Sequence, residues 1–370
     1  MHTRKKAPIG EGRSKSVYVE PTVKDTAVLL VFYNAAKFKR ILDNMLYIIK
    51  TLKDKNIPYF VAECVFHGAK PEIPGADLVI HSNSYMFYKE QLVNRLEKVV
   101  PEHFTKLVCM DGDIIYDSPD WIDQISKLLD KHDIIQPFSE ACWLTPDNTR
   151  VRSKKPSYGY ALANKKTISG KNMHMFHPGF AWAFKRSTFR AIHGLYEDAV
   201  IGNGDMLFVF NFFAEKVPNH WVREVLKVPF IIHKWPEYHA RFKQVNPSVG
   251  FLPIRVFHLF HGVRHHRQYT TRYKSVSQFL KGNWDDNIYV NKEGVYEFKD
   301  QKASNGVLQY FKRRNEDIPV KDAYKILSRK APQHGPTSRQ PTSLNQTTIQ
   351  PTPEIHDTSN PSTVPNLPHV

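Results

Sequence analysis

Two aspartates one residue apart, Asp111 and Asp113, follow directly on the apolar run at residues 107–110. Such a run is typical of a buried strand in a parallel sheet, so the acids would lie at the carboxyl end of that strand. Open α/β sheets bind their ligands at this edge. Two carboxylates there can hold a hard divalent cation, Mn²⁺ or Mg²⁺, which can neutralise a diphosphate. An Asp-x-Asp triplet also occurs by chance in surface loops, so the strand context carries the prediction.

Two histidines further along the chain, His258 and His261, are candidates to complete a metal site with Asp113. Imidazole and carboxylate together suit a Mn²⁺-like cation, and diphosphate oxygens would supply further ligands. His261 adjoins Gly262 and is the preferred ligand, with His258 second. The alternative is that both are ordinary core or surface histidines, which is the commoner state of a lone histidine.

A third acid, Asp205, follows the turn Gly202-Asn203-Gly204 and precedes an apolar stretch, 207–213, that predicts a helix. A carboxylate at such a glycine-flanked helix start has room beside it for a substrate and can act as a base toward a hydroxyl group. The alternative interpretation makes Asp205 an N-cap of the helix.

The aromatic segment 177–184 predicts a strand. Alternation along a strand would place Phe180, Trp182 and Phe184 on one face. Trp182 is the candidate platform for the apolar face of a sugar ring, although an ordinary core segment would have the same pattern.

Two groups of polar residues near these segments have less defined roles. His174 and His177 are expected to be loop residues close to the site. The basic stretch at 264–267 could bind phosphate or could be a solvated surface.

The elements that must position these residues alternate between strands and helices in the first half of the chain. Strands are predicted at 27–33, 59–66 and, more briefly, 77–80, besides the run before Asp111. Apolar residues at helical spacing predict helices within 35–54 and 86–99, with these side chains inward: Phe38, Ile41, Leu42, Met45, Leu46, Ile49, Leu52, Leu92, Leu96 and Val99. This order predicts an α/β fold, with a mostly parallel sheet covered by helices on both faces.

The second half is aromatic and less periodic. Residues 145–172 predict a long loop that could close over a ligand. Ser187 is expected to cap a helix through His193, and strands are predicted at 228–233 and 251–258.

Both chain ends are expected to lack fixed structure. Residues 1–25 predict a mobile basic arm. Residues 331–370 are rich in Pro, Thr, Ser and Gln and contain no Phe, Trp or Tyr, which predicts a disordered tail.

The composition indicates a globular, basic protein. Of the 370 residues 41% are hydrophobic, and the net charge of +16 favours anionic partners such as nucleotide-sugars, nucleic acid or membrane surfaces. We find no helix-turn-helix, zinc-finger or RNP pattern, no apolar stretch long enough to span a bilayer and no signal peptide. Cys64, Cys109 and Cys142 show no metal spacing and predict buried thiols in a reducing compartment. These features predict a cytoplasmic protein, with a bacterial, phage or viral origin and peripheral membrane contact through the basic arm as further expectations.

Taken in order, these motifs resemble those of nucleotide-sugar-dependent glycosyltransferases of the GT-A fold. The resemblance covers residues 27–265, including the opening strand and the Asp111-Gly-Asp113 triplet. The segments 178–182, 202–205 and 258–262 resemble the C-terminal module of galactosyltransferase-like and polypeptide GalNAc-transferase-like enzymes. The turn before Asp205 departs from that module, since it reads Gly-Asn-Gly-Asp rather than Trp-Gly-Gly-Glu-Asp.

The resemblance implies one GT-A domain over residues 26–330. Its nucleotide-binding half would be 26–140, its acceptor and metal half 141–270, and 271–330 would be a C-terminal extension. It further implies a UDP-sugar as donor, a carbohydrate or glycosylated hydroxyl as acceptor, and Mn²⁺ or Mg²⁺ as cofactor.

The resemblance also implies roles for particular residues. Asp111 would face the ribose and contribute to the metal site, Asp113 and His261 would bind the metal, and Asp205 would be the base of an inverting reaction. The nucleobase and donor would be held by residues at the ends of the first two strands and on the helix before the Asp-x-Asp triplet, namely Tyr33, Glu63 and Asn94 or Arg95.

Three other function classes share some of these features. A metal-dependent nucleotidyltransferase or phosphohydrolase also uses acids at strand ends, but a glycine-rich phosphate loop would favour it and residues 33–37 contain no glycine. A nucleic-acid-binding protein would fit the charge and the 12% aromatic content. The third class is a degenerate transferase that only binds sugars, and the presence of Asp111, Asp113, Asp205 and His261 argues against it.

Overall fold

A computed structural model describes residues 24–226, 228–269 and 271–328. The predicted tail, 331–370, and all of the predicted arm except residues 24 and 25 lie outside these ranges. The predicted division of residues 26–330 into three parts stays a prediction.

Most strands belong to one seven-stranded sheet. Its order is β10-β6-β9-β4-β1-β2-β3, and only β9 runs antiparallel to its neighbours. A second sheet has the order β5-β11-β7-β8, and β12 pairs with β13. The strands are β1 Thr26–Tyr33, β2 Tyr59–Phe66, β3 Leu78–Ser82, β4 Lys106–Met110, β5 Ile114–Tyr116, β6 Ile134–Gln136, β7 Glu140–Leu144, β8 Val151–Pro156, β9 Ala181–Lys185, β10 Val249–Phe251, β11 Arg255–His258, β12 Ile288–Val290 and β13 Tyr296–Phe298.

Helices connect the strands and follow the last of them. They are α1 Lys39–Asp54, α2 Lys89–Leu96, α3 Trp121–Lys131, α4 Tyr158–Ala163, α5 Arg186–Ala191, α6 Gly204–Phe213, α7 Asn219–Trp221, α8 Trp235–Val245, α9 Lys274–Ser277, α10 Trp284–Asn287, α11 Gln301–Arg313 and α12 Val320–Ser328. Short 3₁₀ turns occur at Met173–Met175, Pro229–Ile232 and Arg264–Arg267, and a π-helical turn at Val222–Leu226.

The central sheet is covered on both faces, which confirms the predicted fold class. Alternate residues of β1 point into two different hydrophobic clusters, Leu29 into one and Val28 into the other. Leu92 of α2 belongs to the first cluster, and Met45 of α1 belongs to the second. Because both faces of β1 are buried, its sequence is an unbroken apolar run rather than an alternating one.

The first half of the chain follows the predicted elements closely, with two exceptions at helix surfaces. Leu46 and Val99, both predicted to face inward, are 36% and 47% exposed. Val99 lies beyond the end of α2 at Leu96, so the helical spacing no longer applies to it.

Several predictions for the second half are wrong. The predicted loop 145–172 contains β8 and α4. The predicted strand 228–233 is a 3₁₀ turn begun by Pro229, whose ring fits the first turn of a helix. The predicted strand 251–258 is divided into β10 and β11, with Pro253 between them. Ser187 is not a cap, since α5 has Lys185 at its N-cap position.

The aromatic strand does not present a single aromatic face. Phe180 has a φ of +72°, which interrupts the alternation just before β9 begins. Trp182 and Phe184 therefore point into one hydrophobic cluster while Phe180 points into the other.

Asp317, which lies between α11 and α12, binds the N-terminal end of α1. Both carboxylate oxygens of Asp317 accept hydrogen bonds, one from the backbone N–H of Lys39 and one from that of Arg40, each at 2.8 Å. This contact closes the N-terminus of α1 and places residues 314–318 beside the sheet edge.

All three cysteines are buried, as predicted. Among the described helices we find none with the length and apolar character needed to cross a bilayer. The cytoplasmic location stays a prediction.

Candidate active site

A cavity of about 470 Å³ opens where β1, β4 and β11 end. It is lined by six residues singled out from the sequence, which the fold thus brings together: Tyr33, Asp111, Asp113, Asp205, His258 and His261. His174 and His177 also line it, in agreement with the expectation that they lie close to the site. The cavity lies at the carboxyl edge of the parallel strands, where α/β sheets bind ligands.

Three of these side chains converge on one point. Oδ2 of Asp113 lies 2.7 Å from Nε2 of His261 and 3.6 Å from Nε2 of His258. The two histidine nitrogens are 3.1 Å apart. Strand pairing produces this arrangement, since β5 runs antiparallel to β11 and the backbone of Leu259 donates to the carbonyl of Asp113.

The three ligand atoms fit a divalent cation. Each of the three distances between these ligand atoms is shorter than about 4.2 Å, which is twice a typical metal–nitrogen or metal–oxygen bond length. One ion can therefore reach all three atoms. The other oxygen of Asp113, Oδ1, is buried and has no hydrogen-bond partner among the described residues. Two imidazole nitrogens also face one another, an arrangement that a cation between them would satisfy. One carboxylate and two imidazoles suit Mn²⁺ better than an all-oxygen site would.

Burial tunes the charge of the cluster. Burial raises the pKa of the Asp113 carboxyl, but the contacts with His258 and His261 lower it by more, so that it stays below its ordinary value. Burial lowers the pKa of the His258 imidazole to about 3. At neutral pH Asp113 is therefore ionised and His258 is neutral, which are the forms that bind metals.

The ligand cluster is surrounded by Glu316, Arg314 and Arg267. Oε1 of the buried Glu316 lies 3.3 Å from Nδ1 of His261 and forms an ion pair with Arg314. The guanidinium of Arg267 lies against the edge of the His261 ring, with NH2 2.6 Å from Nε2. A carboxylate behind a ligating histidine fixes the orientation of its ring.

Gly262 permits this close approach. Its φ is +85°, and a Cβ there would lie 3.1 Å from Cα of Glu316 and 3.2 Å from the carbonyl oxygen of Arg314. The sequence offered no signal for Glu316 or Arg314, because both are distant along the chain and lie in no recognisable motif.

Asp111 is separated from the ligand cluster, contrary to its prediction as a metal ligand. Its carboxylate forms an ion pair with Lys89, the first residue of α2. Burial raises the pKa of Asp111, and the ammonium of Lys89 opposes that rise. Of the two aspartates, Asp113 alone belongs to the cluster found among the described residues.

Asp205 faces the cavity from the first turn of α6. The N-cap position belongs to Asn203, so Asp205 is not the cap, and its Oδ1 accepts from the backbone N–H of Met206 at 2.8 Å. A Cβ on Gly179 would come within 2.8 Å of Oδ2 of Asp205, so the glycine leaves space for this carboxylate.

Glu90 is a second acid beside Asp205 that the sequence motifs did not indicate. It lines the cavity, is 8% exposed and packs on Gly204, where any Cβ would collide with its carboxyl group. Burial raises the pKa of Glu90 from 4.5 to about 7, although Lys89 opposes this rise. Glu90 thus keeps its proton well above the range usual for a carboxylic acid.

Four predicted donor-binding residues lie outside the cavity lining. The Glu63 carboxylate accepts from the backbone amides of Glu72 and Ile73 at 2.7 and 2.9 Å, so it organises a loop. Trp182 is 6% exposed and stacks on Phe212, which makes it a core residue rather than a sugar platform.

The two predicted residues on α2 also have internal partners. Asn94 donates to the carbonyl of Leu195, and Arg95 forms an ion pair with Glu197 and donates to the carbonyl of Gly294. Both side chains therefore bind loops on the side of α2 that faces away from the cavity.

Comparison with known proteins gives similarities in structure only. No family model matches the chain, and no curated protein matches it. The catalytic domain of Drosophila β1,4-galactosyltransferase 7 in complex with xylobiose is 11% identical, with a TM-score of 0.36, and 77% of this chain and 99% of that chain are covered. A mutant of the same enzyme in complex with manganese, UDP-Gal and xylobiose is 12% identical, with a TM-score of 0.32 and 76% and 98% covered.

A nucleotide-utilising synthase is also among the similar structures. The 4-diphosphocytidyl-2C-methyl-D-erythritol synthase from Anaerococcus prevotii is 9% identical, with a TM-score of 0.31, and 63% of this chain and 89% of that chain are covered. The solved structures to which this chain is similar thus include a galactosyltransferase.

Proposed function

We propose that this protein is a metal-dependent glycosyltransferase that moves a sugar from a nucleotide-sugar, a UDP-sugar, to a carbohydrate hydroxyl with inversion at the anomeric carbon. The observation that carries the proposal is the convergence of Asp113, His258 and His261 at the carboxyl edge of the sheet. Asp205 lines the same cavity and supplies a base. The sequence motifs that resemble GT-A glycosyltransferases provide these same residues.

The ligand cluster defines the diphosphate end of the cavity. Asp113, His258 and His261 would hold Mn²⁺ or Mg²⁺, whose chemistry when bound is to stabilise the charge of a leaving diphosphate. Arg267, beside His261, adds a permanent positive charge for the same oxygens. Asp111, held by Lys89, would bind the ribose hydroxyls, and Tyr33 would contact the nucleobase.

Asp205 would act at the opposite end of the bond that breaks. Its carboxylate takes the proton of the acceptor hydroxyl as the oxygen attacks the anomeric carbon. The bond from that carbon to the diphosphate breaks, and its electron pair leaves with the nucleoside diphosphate. Because the pKa of Glu90 is raised to about 7, Glu90 carries only part of a negative charge beside Asp205 at neutral pH.

The test is nucleotide release from a panel of nucleotide-sugars, with Mn²⁺, Mg²⁺ or EDTA. We expect the wild-type protein to release a nucleoside diphosphate from one donor when a metal is present, and EDTA and Asp113→Ala to abolish release. Asp54→Ala, at the exposed end of α1, is the matched control and should behave as wild type.

The product distinguishes the competing enzyme class. Release of a nucleoside monophosphate or inorganic phosphate would instead indicate a nucleotidyltransferase or phosphohydrolase, for which the same acids could serve. Failure of the wild-type protein to release any nucleotide, together with no thermal shift on adding UDP and Mn²⁺, would contradict the proposal.

A further inference from the structure

One wall of the cavity combines an aromatic ring with two cations. Trp143, Lys155 and Arg264 all line the cavity, and together they are called the Trp143 wall below. Trp143 lies opposite Ser153 in the β7–β8 pair, so Lys155, two residues further along β8, is on the same face of the sheet. The guanidinium of Arg264 reaches this face from the turn after β11 and lies 5.7 Å from the centre of the Trp143 ring.

The wall lies between the two ends of the reaction site. The Trp143 ring contacts the rings of His177 and Phe180, with centroids 5.0 and 5.3 Å apart. Phe180 stacks on the metal-site residue His258 at 4.9 Å. Gly179, which precedes Phe180 in the chain, is in contact range of Asp205. Phe180 and Gly179 thus link the wall to the metal site and to the base.

The two cations of the wall have no acidic partner. In the part of the chain that the structure describes, no ion pair includes Lys155 or Arg264, and the ammonium of Lys155 donates only to the carbonyl of His174, at 2.5 Å. Burial and the charge of Arg264 lower the pKa of Lys155. Two like charges held close together without a counter-ion cost free energy in the isolated protein, and an anion between them would offset that cost.

A further side chain packs against this ring. His177 lies in edge-to-face contact with Trp143, and its Nε2 is buried without a hydrogen-bond partner among the described residues. The wall thus offers an aromatic face and two positive charges. A sugar ring that carries an acidic group matches both.

The other cations of the cavity already have partners. Lys89 pairs with Asp111, and Arg314 pairs with Glu316. Arg267 lies beside His261 and is 3.7 Å from Glu316. A divalent cation held by Asp113, His258 and His261 would offset the charge of the diphosphate without Lys155 and Arg264.

We infer that the acceptor is an anionic carbohydrate, whose ring lies on Trp143 and whose phosphate, sulfate or carboxylate group binds between Lys155 and Arg264. This inference rests on the proposed transferase function and names the substrate class of the same site. It makes the Trp143 wall the determinant of acceptor specificity, separate from donor binding.

The test compares the wild-type protein with Lys155→Ala/Arg264→Ala. Lys154→Ala is the matched control, since Lys154 lies on the other face of β8 and pairs with Glu140. Probes are glucose, galactose, mannose and N-acetylglucosamine, each neutral, and the corresponding 6-phosphates, 6-sulfates and uronic acids. Equilibrium binding is measured in the presence of UDP and Mn²⁺, and donor hydrolysis is measured without any acceptor.

We expect at least one anionic sugar to bind the wild-type protein and the control about tenfold or more tightly than its neutral counterpart. The double variant should lose that preference while its donor hydrolysis stays within about twofold of wild type. The sugar series that binds identifies phosphate, sulfate or carboxylate as the recognised group.

Three outcomes would overturn the inference. Equal binding of charged and neutral sugars, or no binding of any anionic sugar, would show that the wall does not select acidic acceptors. A double variant with weakened UDP binding and slowed donor hydrolysis would assign the two cations to the diphosphate instead. Absence of donor hydrolysis and of UDP binding in the wild-type protein would overturn the proposed function itself, and the acceptor inference with it.

Discussion

The metal end of the cavity, around Asp113, and the base end, around Asp205, shift the pKa of a buried carboxyl group in opposite directions. At the metal end a single carboxylate, Asp113, faces two imidazoles, and its pKa is held below the ordinary value. At the base end Glu90, Asp111 and Asp205 all interact with one cation, Lys89. Burial, together with the charges of Asp205 and Asp111, raises the pKa of Glu90 to about 7, although Lys89 opposes the rise.

From this difference we expect the two ends to have separate roles, metal binding at one and proton transfer at the other. The metal end is organised to receive a cation, because its carboxylate is ionised and one of its imidazoles, His258, is neutral. The base end holds a proton close to neutral pH, because burial raises the pKa of Glu90 to about 7. Variants at the two ends should therefore fail in different measurements.

The largest effect is expected for Asp205→Asn, which keeps the shape of the side chain but removes its basicity. We expect kcat for transfer to fall by about 10²–10⁴-fold, the usual contribution of a general base. Mn²⁺ and UDP affinity, measured by titration calorimetry, should stay close to wild type. Transfer near the wild-type rate would remove Asp205 from its catalytic role and would point to a retaining reaction.

The second effect concerns the metal end alone. Glu316→Gln removes the charge behind His261 and should weaken Mn²⁺ binding by about 10–100-fold, as loss of a partner of a ligating histidine commonly does. Binding is measured by calorimetry on protein shown to be folded by circular dichroism. Glu237→Gln, at an exposed position of α8, is the control. Unchanged Mn²⁺ affinity in Glu316→Gln would mean that Glu316 has no role in orienting the ligand.

The third effect concerns the pH dependence of stability at the base end. The folded protein raises the pKa of Glu90 above its ordinary value of 4.5, to about 7, so the folded state binds this proton more tightly than the unfolded state. The contribution of Glu90 to stability is therefore present at low pH and is lost as the pH rises through that window.

Glu90→Gln cannot titrate and should remove this contribution. The unfolding free energy of the variant minus that of wild type should rise between pH 4.5 and pH 7 by up to about 3 kcal/mol, the free energy that corresponds to this pKa difference. Urea unfolding of the metal-free protein at several pH values measures it. A difference that does not change with pH would show that Glu90 ionises normally.

The first half of the chain was the easier half to predict. Strands β1 and β2 and helix α1 have periodic apolar patterns, which local sequence carries directly. The second half failed where a short apolar run could be a strand or a turn, as at 228–233, and where polar strands such as β8 show no alternation of hydrophobicity.

Some residues of the candidate site could likewise be predicted from the sequence, and others could not. Asp113, His258, His261 and Asp205 were found because their types and spacing indicate chemistry, and the fold places all four on one cavity. Glu63, Asn94, Arg95 and Trp182 were misplaced because the direction of a side chain depends on packing, which a motif does not encode. Glu90, Glu316 and the Trp143 wall belong to no motif, so spacing along the chain gave no sign of them.

By itself, the sequence determined the class of fold and the chemical types present at the strand ends, because burial on both faces and ligand chemistry are local properties. Only the tertiary structure decided which acids share a site. It paired Asp111 with Lys89 while Asp113 joined the two histidines, and it brought Glu316, 55 positions after His261, against that histidine. Long-range packing sets such distances, and the electrostatics that govern proton and metal binding depend on them.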